Sequence, residues 1–401
     1  MKILITSDTF TPTINGVVTS VLNLHEQLTQ LGHEVRILTL SPDASSWKAD
    51  NVYYVKSYAF NIYPGIRGAY PNEHFFLDEI IEWYPDLIHT QCEFFTMHFA
   101  KKIARHLGIP IIHTYHTMYE HYIDYLLPSR KGKNRLVGRI VKDILKPVSA
   151  VIAPTQKAKS SLEEFGIPVP IEVIPTGINL DDFHHSLTDT EKQELKEQLH
   201  IPSDKTILVT VGRVGKEKNL DEIIEFLTPL CKTEPIFYVI VGDGPYKEEL
   251  QQIISSSELK DSVLFTGMVP CKETWKYYQL GDIFVSSSIS ETQGLTYIEA
   301  LASGTPLVCR KDSCLEGVLI EEYNGYTFDN QTQFVQAISN MIHQPQLRQQ
   351  LSKQARSSSE KFSKENFGLA VEDLYQKISG ENKTSVILNS IEDIDELSFN
   401  D

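Results

Sequence analysis

Short apolar runs alternate with amphipathic, helix-like segments along most of this 401-residue chain, and the alternation starts anew after its midpoint. The runs of the first half are 2–6, 35–40, 87–89, 109–114 and 148–153, and those of the second half are 206–211, 236–241, 263–266, 283–286 and 306–309. Apolar runs this short, separated by amphipathic helices, are typical of parallel strands covered by helices on both faces. The pattern therefore predicts an α/β protein with two Rossmann-like domains.

Proline and glycine mark the passage between the two halves, at Ile-Pro-Thr-Gly-Ile-Asn over residues 174–179. We expect an N-terminal domain over residues 1–185 and a C-terminal domain over 200–362. A last helix over about 365–379 is expected to pack back on the first domain. Residues 380–401 contain six acidic residues and one lysine, which predicts an acidic tail.

The charge and the cysteines exclude several classes of protein. Asp and Glu number 53 against 37 Lys and Arg, a formal net charge of −16, so nucleic acid is not an expected partner. The five cysteines are scattered without a C-x-x-C spacing, which argues against a disulfide framework and a structural zinc site. No signal peptide and no apolar run of about 18 residues is found. We therefore expect a cytoplasmic protein.

Two loops that follow predicted strands contain glycine. Gly16 opens the first helix, where backbone N–H groups can hold a phosphate, but by itself this is a weak signal because a glycine also simply turns the chain. Arg213 and Lys218 lie in Gly-Arg-Val-Gly-Lys-Glu-Lys-Asn, directly after the strand 206–211. Such a loop lies at the carboxyl ends of the strands, where ligands bind in doubly wound sheets, and its two cations suit a diphosphate. A solvated basic turn is the alternative.

Two carboxylates, Glu291 and Glu299, flank a predicted helix start at Gly294. The N–H groups of Gly294, Leu295 and Thr296 are suited to a phosphate, and the carboxylates can accept sugar hydroxyls. Paired carboxylates also serve as the acid and base of glycosidases. Since one lies on a loop and the other on a helix beside a phosphate-type N-terminus, we favour ligand recognition.

A histidine follows a predicted strand of the first half. His116 comes after the strand 109–114 and can contact a sugar hydroxyl, although a structural histidine with satisfied hydrogen bonds is the commoner case. His113 is expected in or beside the strand.

The one Asp-x-Asp sequence, 393–395, lies in the acidic tail, and neither a complete G-x-G-x-x-G nor a P-loop is present. No metal and no dinucleotide cofactor is implied.

A basic segment stands out in this acidic chain. Between residues 130 and 146, apolar side chains at helical spacing run beside cations, as on a helix at a membrane interface. A helix packed on the core with a basic outer face fits the same pattern. The seven cations, which are the candidate membrane-binding residues, are Arg130, Lys131, Lys133, Arg135, Arg139, Lys142 and Lys146.

In combination these motifs resemble the retaining GT-B glycosyltransferases of family 4, over nearly the whole chain up to the tail. The stretches that carry the resemblance are Asn15-Gly16-Val17, Gly212-Arg213, Glu217-Lys218-Asn219, residues 241–245, and Glu291 and Glu299 with Gly294-Leu295 between them. The resemblance implies two Rossmann-like domains that face a central cleft, and a nucleotide-sugar donor held mainly by the C-terminal domain.

The resemblance also implies a role for each motif residue. Arg213 and Lys218 would contact the diphosphate, Glu299 would contact the ribose, and the stretch around Val269 would face the base. Glu291 would lie near the donor sugar. The implied donor-binding residues are Gly16, Arg213, Lys218, Val269, Glu291, Gly294, Leu295, Thr296 and Glu299, and the implied catalytic ones are His116, Arg213, Lys218 and Glu291.

Residues 291–297 and 114–120 are most similar to the bacterial 1,2-diacylglycerol 3-glucosyltransferases, although Gln293 stands where many family members have an aromatic residue. This similarity implies UDP-glucose as donor, a lipid such as diacylglycerol as acceptor, metal independence, and peripheral binding at the anionic inner face of the cell membrane. The alternatives are a family 4 enzyme with a soluble or polysaccharide acceptor and a non-catalytic sugar-nucleotide-binding module. An epimerase or phosphorylase would need acid/base carboxylates or a cofactor lysine that cannot be identified here.

Overall fold

The alternation of strands and helices builds two separate parallel sheets. The computed structural model describes residues 1–60, 67–69, 76–119 and 133–397. One compact unit is formed by Met1–Gly177 together with the C-terminal segment from Lys364, and a second unit by Ile178–Ser363. The chain thus leaves the first unit at Gly177 and returns to it after Ser363.

The first unit has an eight-stranded sheet in the order β10-β9-β8-β7-β1-β2-β4-β3, in which only β3 runs antiparallel to its neighbour, and a separate β5–β6 pair. The strands are β1 (Lys2–Ser7), β2 (Glu34–Leu40), β3 (Trp47–Ala49), β4 (Val52–Val55), β5 (Tyr58–Ala59), β6 (Arg67–Gly68), β7 (Leu87–Thr90), β8 (Ile111–Thr114), β9 (Ala150–Ala153) and β10 (Ile171–Val173). The described helices are α1 (Gly16–Gln30), α2 (Leu77–Trp83), α3 (Phe95–Leu107), α4 (Lys133–Leu145), α5 (Gln156–Glu164) and α13 (Lys364–Leu397).

Both faces of this sheet are buried, which explains why its strands are apolar runs rather than alternating ones. In β1, Ile3 and Ile5 belong to the hydrophobic cluster that includes α1 and α13, whereas Leu4 belongs to the cluster of α2 to α5 on the other face. The apolar stripe of α13 comprises Phe367, Val371, Leu374, Tyr375 and Ile378. The last helix therefore completes the first unit.

The second unit has a six-stranded, fully parallel sheet in the order β13-β12-β11-β14-β15-β16. Its strands are β11 (Thr206–Val211), β12 (Ile236–Val241), β13 (Val263–Gly267), β14 (Ile283–Ser286), β15 (Leu307–Arg310) and β16 (Gly325–Phe328). Its helices are α6 (Asp189–Gln198), α7 (Leu220–Leu230), α8 (Lys247–Ser255), α9 (Thr274–Leu280), α10 (Leu295–Ala302), α11 (Gln331–His343) and α12 (Pro345–Ser359). The order puts β11 and β14, which are far apart in sequence, side by side at the centre.

The C-terminal helices differ in extent from those that the sequence pattern predicts. The helical periodicity over 333–362 corresponds to two helices, α11 and α12, which are separate because Pro345 cannot continue α11 and instead starts α12. Helix α13 continues past residue 379 to Leu397, so most of the predicted acidic tail is helical. Within the described ranges, no helix combines the length and the apolar character needed to cross a bilayer.

Candidate functional site

The loops that follow β11 and β12 lie against each other at the carboxyl edge of the second sheet. The N–H of Gly212 donates to the carbonyl of Val241 at 2.9 Å, and the N–H of Val214 donates to that of Asp243 at 2.9 Å. Gly242 has φ of +139°, and a Cβ at this position would lie only 1.9 Å from the Gly212 carbonyl oxygen. Glycine is thus required here for both conformation and space.

The loop after β11 is also tied to the loop after β14. Lys218 donates to Glu291 Oε1 at 2.5 Å, and both side chains are largely covered. Asn219, with φ of +53°, ends the short helix Lys216–Lys218, and its carbonyl accepts the Ser287 hydroxyl at 2.5 Å. Because β11 and β14 are neighbours in the sheet, residues more than 70 positions apart form one charged pair.

Four of the predicted site residues, Arg213, Lys218, Glu291 and Thr296, line one pocket at this edge. Its wall consists of Thr210, Val211, Gly212, Arg213, Lys218, Leu220, Ile240, Phe284, Ser286, Glu291 and Thr296. Arg213 Nη1 is 3.9 Å from Glu217 Oε1, and its side chain is 39% exposed. The pocket therefore has two cations and a carboxylate on an otherwise neutral wall.

Helix α10 points its N-terminus to the same edge. Gly294 is its N-cap with φ of +75°, and a glycine has no side chain with which to cap the helix. A Cβ on Gly294 would lie 2.5 Å from the ring of Tyr297, which is buried beneath the turn. The first N–H groups of a helix have no partner within the helix. The N–H groups of Leu295 and Thr296 lie at this helix start, the position that the sequence predicts for an anion.

Glu299 lies on α10, one turn after that N-terminus, and is half-buried. Its Oε2 accepts a hydrogen bond from Tyr278 Oη at 2.5 Å. Burial raises the pKa of Glu299 above its ordinary value, and the bond from Tyr278 opposes this rise. The sequence predicts a role for Glu299 but not for Tyr278, which belongs to no motif and lies on another helix, α9.

The remaining predicted donor-binding residues lie elsewhere in the fold. Val269 follows β13 and packs, half-buried, against the hydrophobic cluster of the second unit. Gly16 is in the first unit, where it is exposed and opens α1. The side chain of Asn15 caps that helix by accepting the N–H of Val18 at 2.9 Å.

His116 follows β8 in the first unit. Its Nε2 is 2.7 Å from Gln91 Oε1, so the neutral ring donates this hydrogen bond and leaves Nδ1 as an acceptor. Burial, with repulsion from His113, lowers the pKa of His116 to about 3. His113 lies within β8, and its Nε2 is 3.3 Å from the buried carboxylate of Glu93. Gln91 and Glu93 follow the neighbouring strand β7 and belong to no motif, so the sequence does not predict either contact.

The basic segment is only partly described. Arg130 and Lys131 lie outside the described residues, as does the side chain of Lys133 at the start of α4. Three apolar residues of α4, Val137, Val141 and Leu145, are buried in the core of the first unit. The inner part of the predicted apolar stripe is therefore core. The outer face has one exposed apolar residue, Ile140, and the exposed cations Arg135, Arg139 and Lys142, and the exposed Lys146 directly follows the helix.

In the part of the chain that the structure describes, no three His, Cys, Asp or Glu residues lie together in a way that could hold a metal ion. The charged groups that the pocket offers to an anion are the side chains of Arg213 and Lys218.

Known families and proteins match both units. The family model for Glycosyltransferase Family 4 matches residues 14–182, and the model for Glycosyl transferases group 1 matches residues 191–358. The chain is 34% identical to an alpha-monoglucosyldiacylglycerol synthase of Streptococcus pneumoniae, with 94% of this chain and 85% of the relative covered. An alpha-monoglucosyldiacylglycerol synthase of Acholeplasma laidlawii is 31% identical, with 95% of this chain and 98% of the relative covered.

Solved structures agree at the level of the fold. A sucrose-phosphate synthase from Thermosynechococcus elongatus has a TM-score of 0.75 at 21% identity, with 95% of this chain and 99% of that chain covered. Anabaena HepE in complex with UDP and glucose has a TM-score of 0.74 at 16% identity, with coverage of 94% and 100%.

Proposed function

The chain belongs to the family 4 glycosyltransferases with the GT-B fold, and from this premise we propose that it moves glucose from UDP-glucose to a diacylglycerol lipid with retention of configuration. The relatives that are 34% and 31% identical over nearly the whole chain are alpha-monoglucosyldiacylglycerol synthases, which supports this donor sugar and acceptor. The observation that carries the proposal is the pocket with Arg213 and the Lys218–Glu291 pair beside the N-terminus of α10. Such a pocket suits a sugar diphosphate.

The nucleoside diphosphate that leaves in the reaction requires cations in the pocket. When the glycosidic bond breaks, negative charge develops on the nucleoside diphosphate, and preorganised donors stabilise that charge. Arg213, Lys218 and the first N–H groups of α10 are such donors. A bound diphosphate competes for the ammonium of Lys218, which now contacts Glu291 at 2.5 Å. The carboxylate of Glu291 would then be free to accept hydroxyls of the donor sugar.

His116 acts in this proposal by contact rather than by proton transfer. A histidine with a pKa of about 3 is neutral at physiological pH and is a poor general acid. Its Nδ1 can accept a sugar hydroxyl because Nε2 is held by Gln91. In a retaining reaction by same-face attack, an oxygen of the donor phosphate takes the proton of the acceptor hydroxyl. No enzymic nucleophile or base is then required.

The test is a transfer assay with radiolabelled nucleotide sugars. We expect label from UDP-glucose to enter a chloroform-soluble product when diacylglycerol is supplied in vesicles. The same assay with polysaccharides and soluble sugars tests the alternative acceptors. Label that enters only those products would contradict the lipid acceptor, and nucleotide binding without transfer or hydrolysis would indicate a non-catalytic module.

Glu299→Gln and His116→Ala are expected to give different kinetic defects. A ribose contact is made equally in the ground state and the transition state, so Glu299→Gln should raise the KM for donor with little change in kcat. His116→Ala removes a contact near the reacting sugar and should lower kcat. Steady-state kinetics with varied UDP-glucose measures both constants, and identical defects in the two variants would contradict the separate roles.

A lipid acceptor requires binding to the membrane surface, and the outer face of α4 is the proposed contact. Each basic residue near an anionic surface contributes about 1 kcal/mol, and salt screens this attraction. We therefore expect a fourfold variant of α4 to sediment poorly with anionic vesicles at low salt, while it still binds donor. The variant changes Arg135, Arg139, Lys142 and Lys146 to Gln.

The matched control removes the same charge from the second unit, by changing the exposed lysines Lys260, Lys272, Lys353 and Lys361 to Gln. It should sediment almost like the wild type. If the α4 variant also sediments like the wild type, α4 is only a core-packed helix with a basic outer face, and the membrane contact proposed here is wrong.

A further inference from the structure

Tyr278 connects two helices of the second unit, and the proposed function gives this tyrosine no role. It lies on α9 and is fully buried, and its hydroxyl crosses to Glu299 Oε2 on α10 at 2.5 Å. This distance is typical of a hydrogen bond from a hydroxyl to an ionised carboxylate. The buried tyrosine therefore donates a hydrogen bond to one carboxylate oxygen of Glu299, whose side chain is half-buried.

The tyrosine is held on both sides. Its ring packs at 6.0 Å from the rings of Phe183 and Phe284. Its carbonyl accepts the hydroxyl of Thr305 at 2.7 Å. A ring without exposed surface has little freedom to change rotamer, so the position of its hydroxyl is set by the core. Glu299, in contrast, has a flexible side chain that the bond from Tyr278 orients.

We propose that Tyr278 is a positioning residue for the donor, whose hydroxyl fixes one oxygen of Glu299 so that the other oxygen accepts the ribose hydroxyls. The inference rests on the nucleotide-sugar site of the proposed function. A carboxylate has about four acceptor positions, so the bond from Tyr278 leaves capacity for a diol. Without that bond, Glu299 has to be ordered when the donor binds, and part of the ribose contact is lost.

The experiment compares two nucleotides that differ only in the ribose. UDP and 2′,3′-dideoxy-UDP are titrated by calorimetry into the wild type, Tyr278→Phe, Glu299→Gln and the double variant. We expect Tyr278→Phe to weaken UDP binding roughly tenfold, the scale of one hydrogen bond to a charged group, and to leave dideoxy-UDP unchanged. In the double variant the two changes should not add, because both act through the same carboxylate.

Tyr375→Phe is the matched control. Tyr375 is also fully buried, and its hydroxyl meets one partner, His89 Nδ1, at 2.6 Å in the other unit. This variant loses a comparable internal hydrogen bond and should bind both nucleotides like the wild type.

If Tyr278→Phe weakens both nucleotides equally, its role is structural and the inference is wrong. If it weakens neither, the inference is also wrong, while the proposed function stands. A wild type that binds no nucleoside diphosphate among UDP, ADP and GDP overturns the proposed function and the inference together.

Discussion

Replacement of Arg213 or Lys218 by alanine is expected to lower kcat by about 10²–10³-fold at saturating donor, the usual cost of one preorganised donor to a developing charge. Both cations line the pocket at the carboxyl edge of the second sheet. The loss should fall mainly on kcat because charge on the leaving diphosphate is greatest in the transition state. Initial rates over a range of UDP-glucose concentrations measure the effect.

Lys232→Ala is the control for these two variants. Lys232 belongs to the same unit, but its side chain is 59% exposed and is paired with Glu258 at 2.8 Å, so its removal should leave kcat unchanged. If Arg213→Ala or Lys218→Ala retains a near wild-type kcat, the residue in question does not stabilise the leaving diphosphate.

Gly242→Ala is expected to destabilise the second unit by about 3 kcal/mol or more and to abolish donor binding. The strain of a methyl group at positive φ costs about 1–3 kcal/mol, and overlap with a backbone atom adds to it. The added Cβ would lie 1.9 Å from the Gly212 carbonyl oxygen, and no side chain can move to relieve this contact. The loops after β11 and β12 would have to separate, which displaces Arg213 from the pocket. Urea unfolding and calorimetric titration with UDP are the measurements.

Gly32→Ala is the control that separates the strain of a positive φ from the steric overlap expected in Gly242→Ala. Gly32 has φ of +85°, but a Cβ there would meet no atom within 4 Å. This variant should therefore lose only about 1 kcal/mol and should bind UDP normally. Equal destabilisation of the two variants would mean that the close approach of the loops does not constrain Gly242.

The predicted GT-B architecture of two Rossmann-like domains is confirmed, and all ten predicted strands are present within one or two residues of their expected bounds. Parallel strands buried on both faces form continuous apolar runs, which are readable without any knowledge of contacts. The strands that were missed include β3, β4, β10 and β16, which lie at or near the edges of the two sheets. β3 and β10 have three residues each, one of them charged, and β16 contains a glycine and a threonine, so the pairing of these three strands depends on neighbours that the sequence does not show.

The sequence predicts the residues of the candidate site more readily than the residues that hold them in place. Lys218 and Glu291 belong to motifs at strand ends, and the structure brings them together in one pocket. Tyr278 and Gln91 have no motif, and each contacts its site residue, Glu299 or His116, across a gap of 21 or 25 positions. Only the packing of helices and strands brings such residues together.

The local sequence by itself determined the ten strands that form apolar runs, the glycine turns and the charged loops, because these depend on apolar periodicity and on backbone conformations that few residues adopt. The tertiary structure decided which loops meet, since only the strand order places β14 beside β11 and so joins Glu291 to Lys218. It also decided which side of α4 is core, because the pattern of a helix with a basic face is the same whether its apolar stripe meets protein or lipid. The burial of Val137, Val141 and Leu145 leaves Ile140 and the basic side chains Arg135, Arg139 and Lys142 on the exposed side of α4.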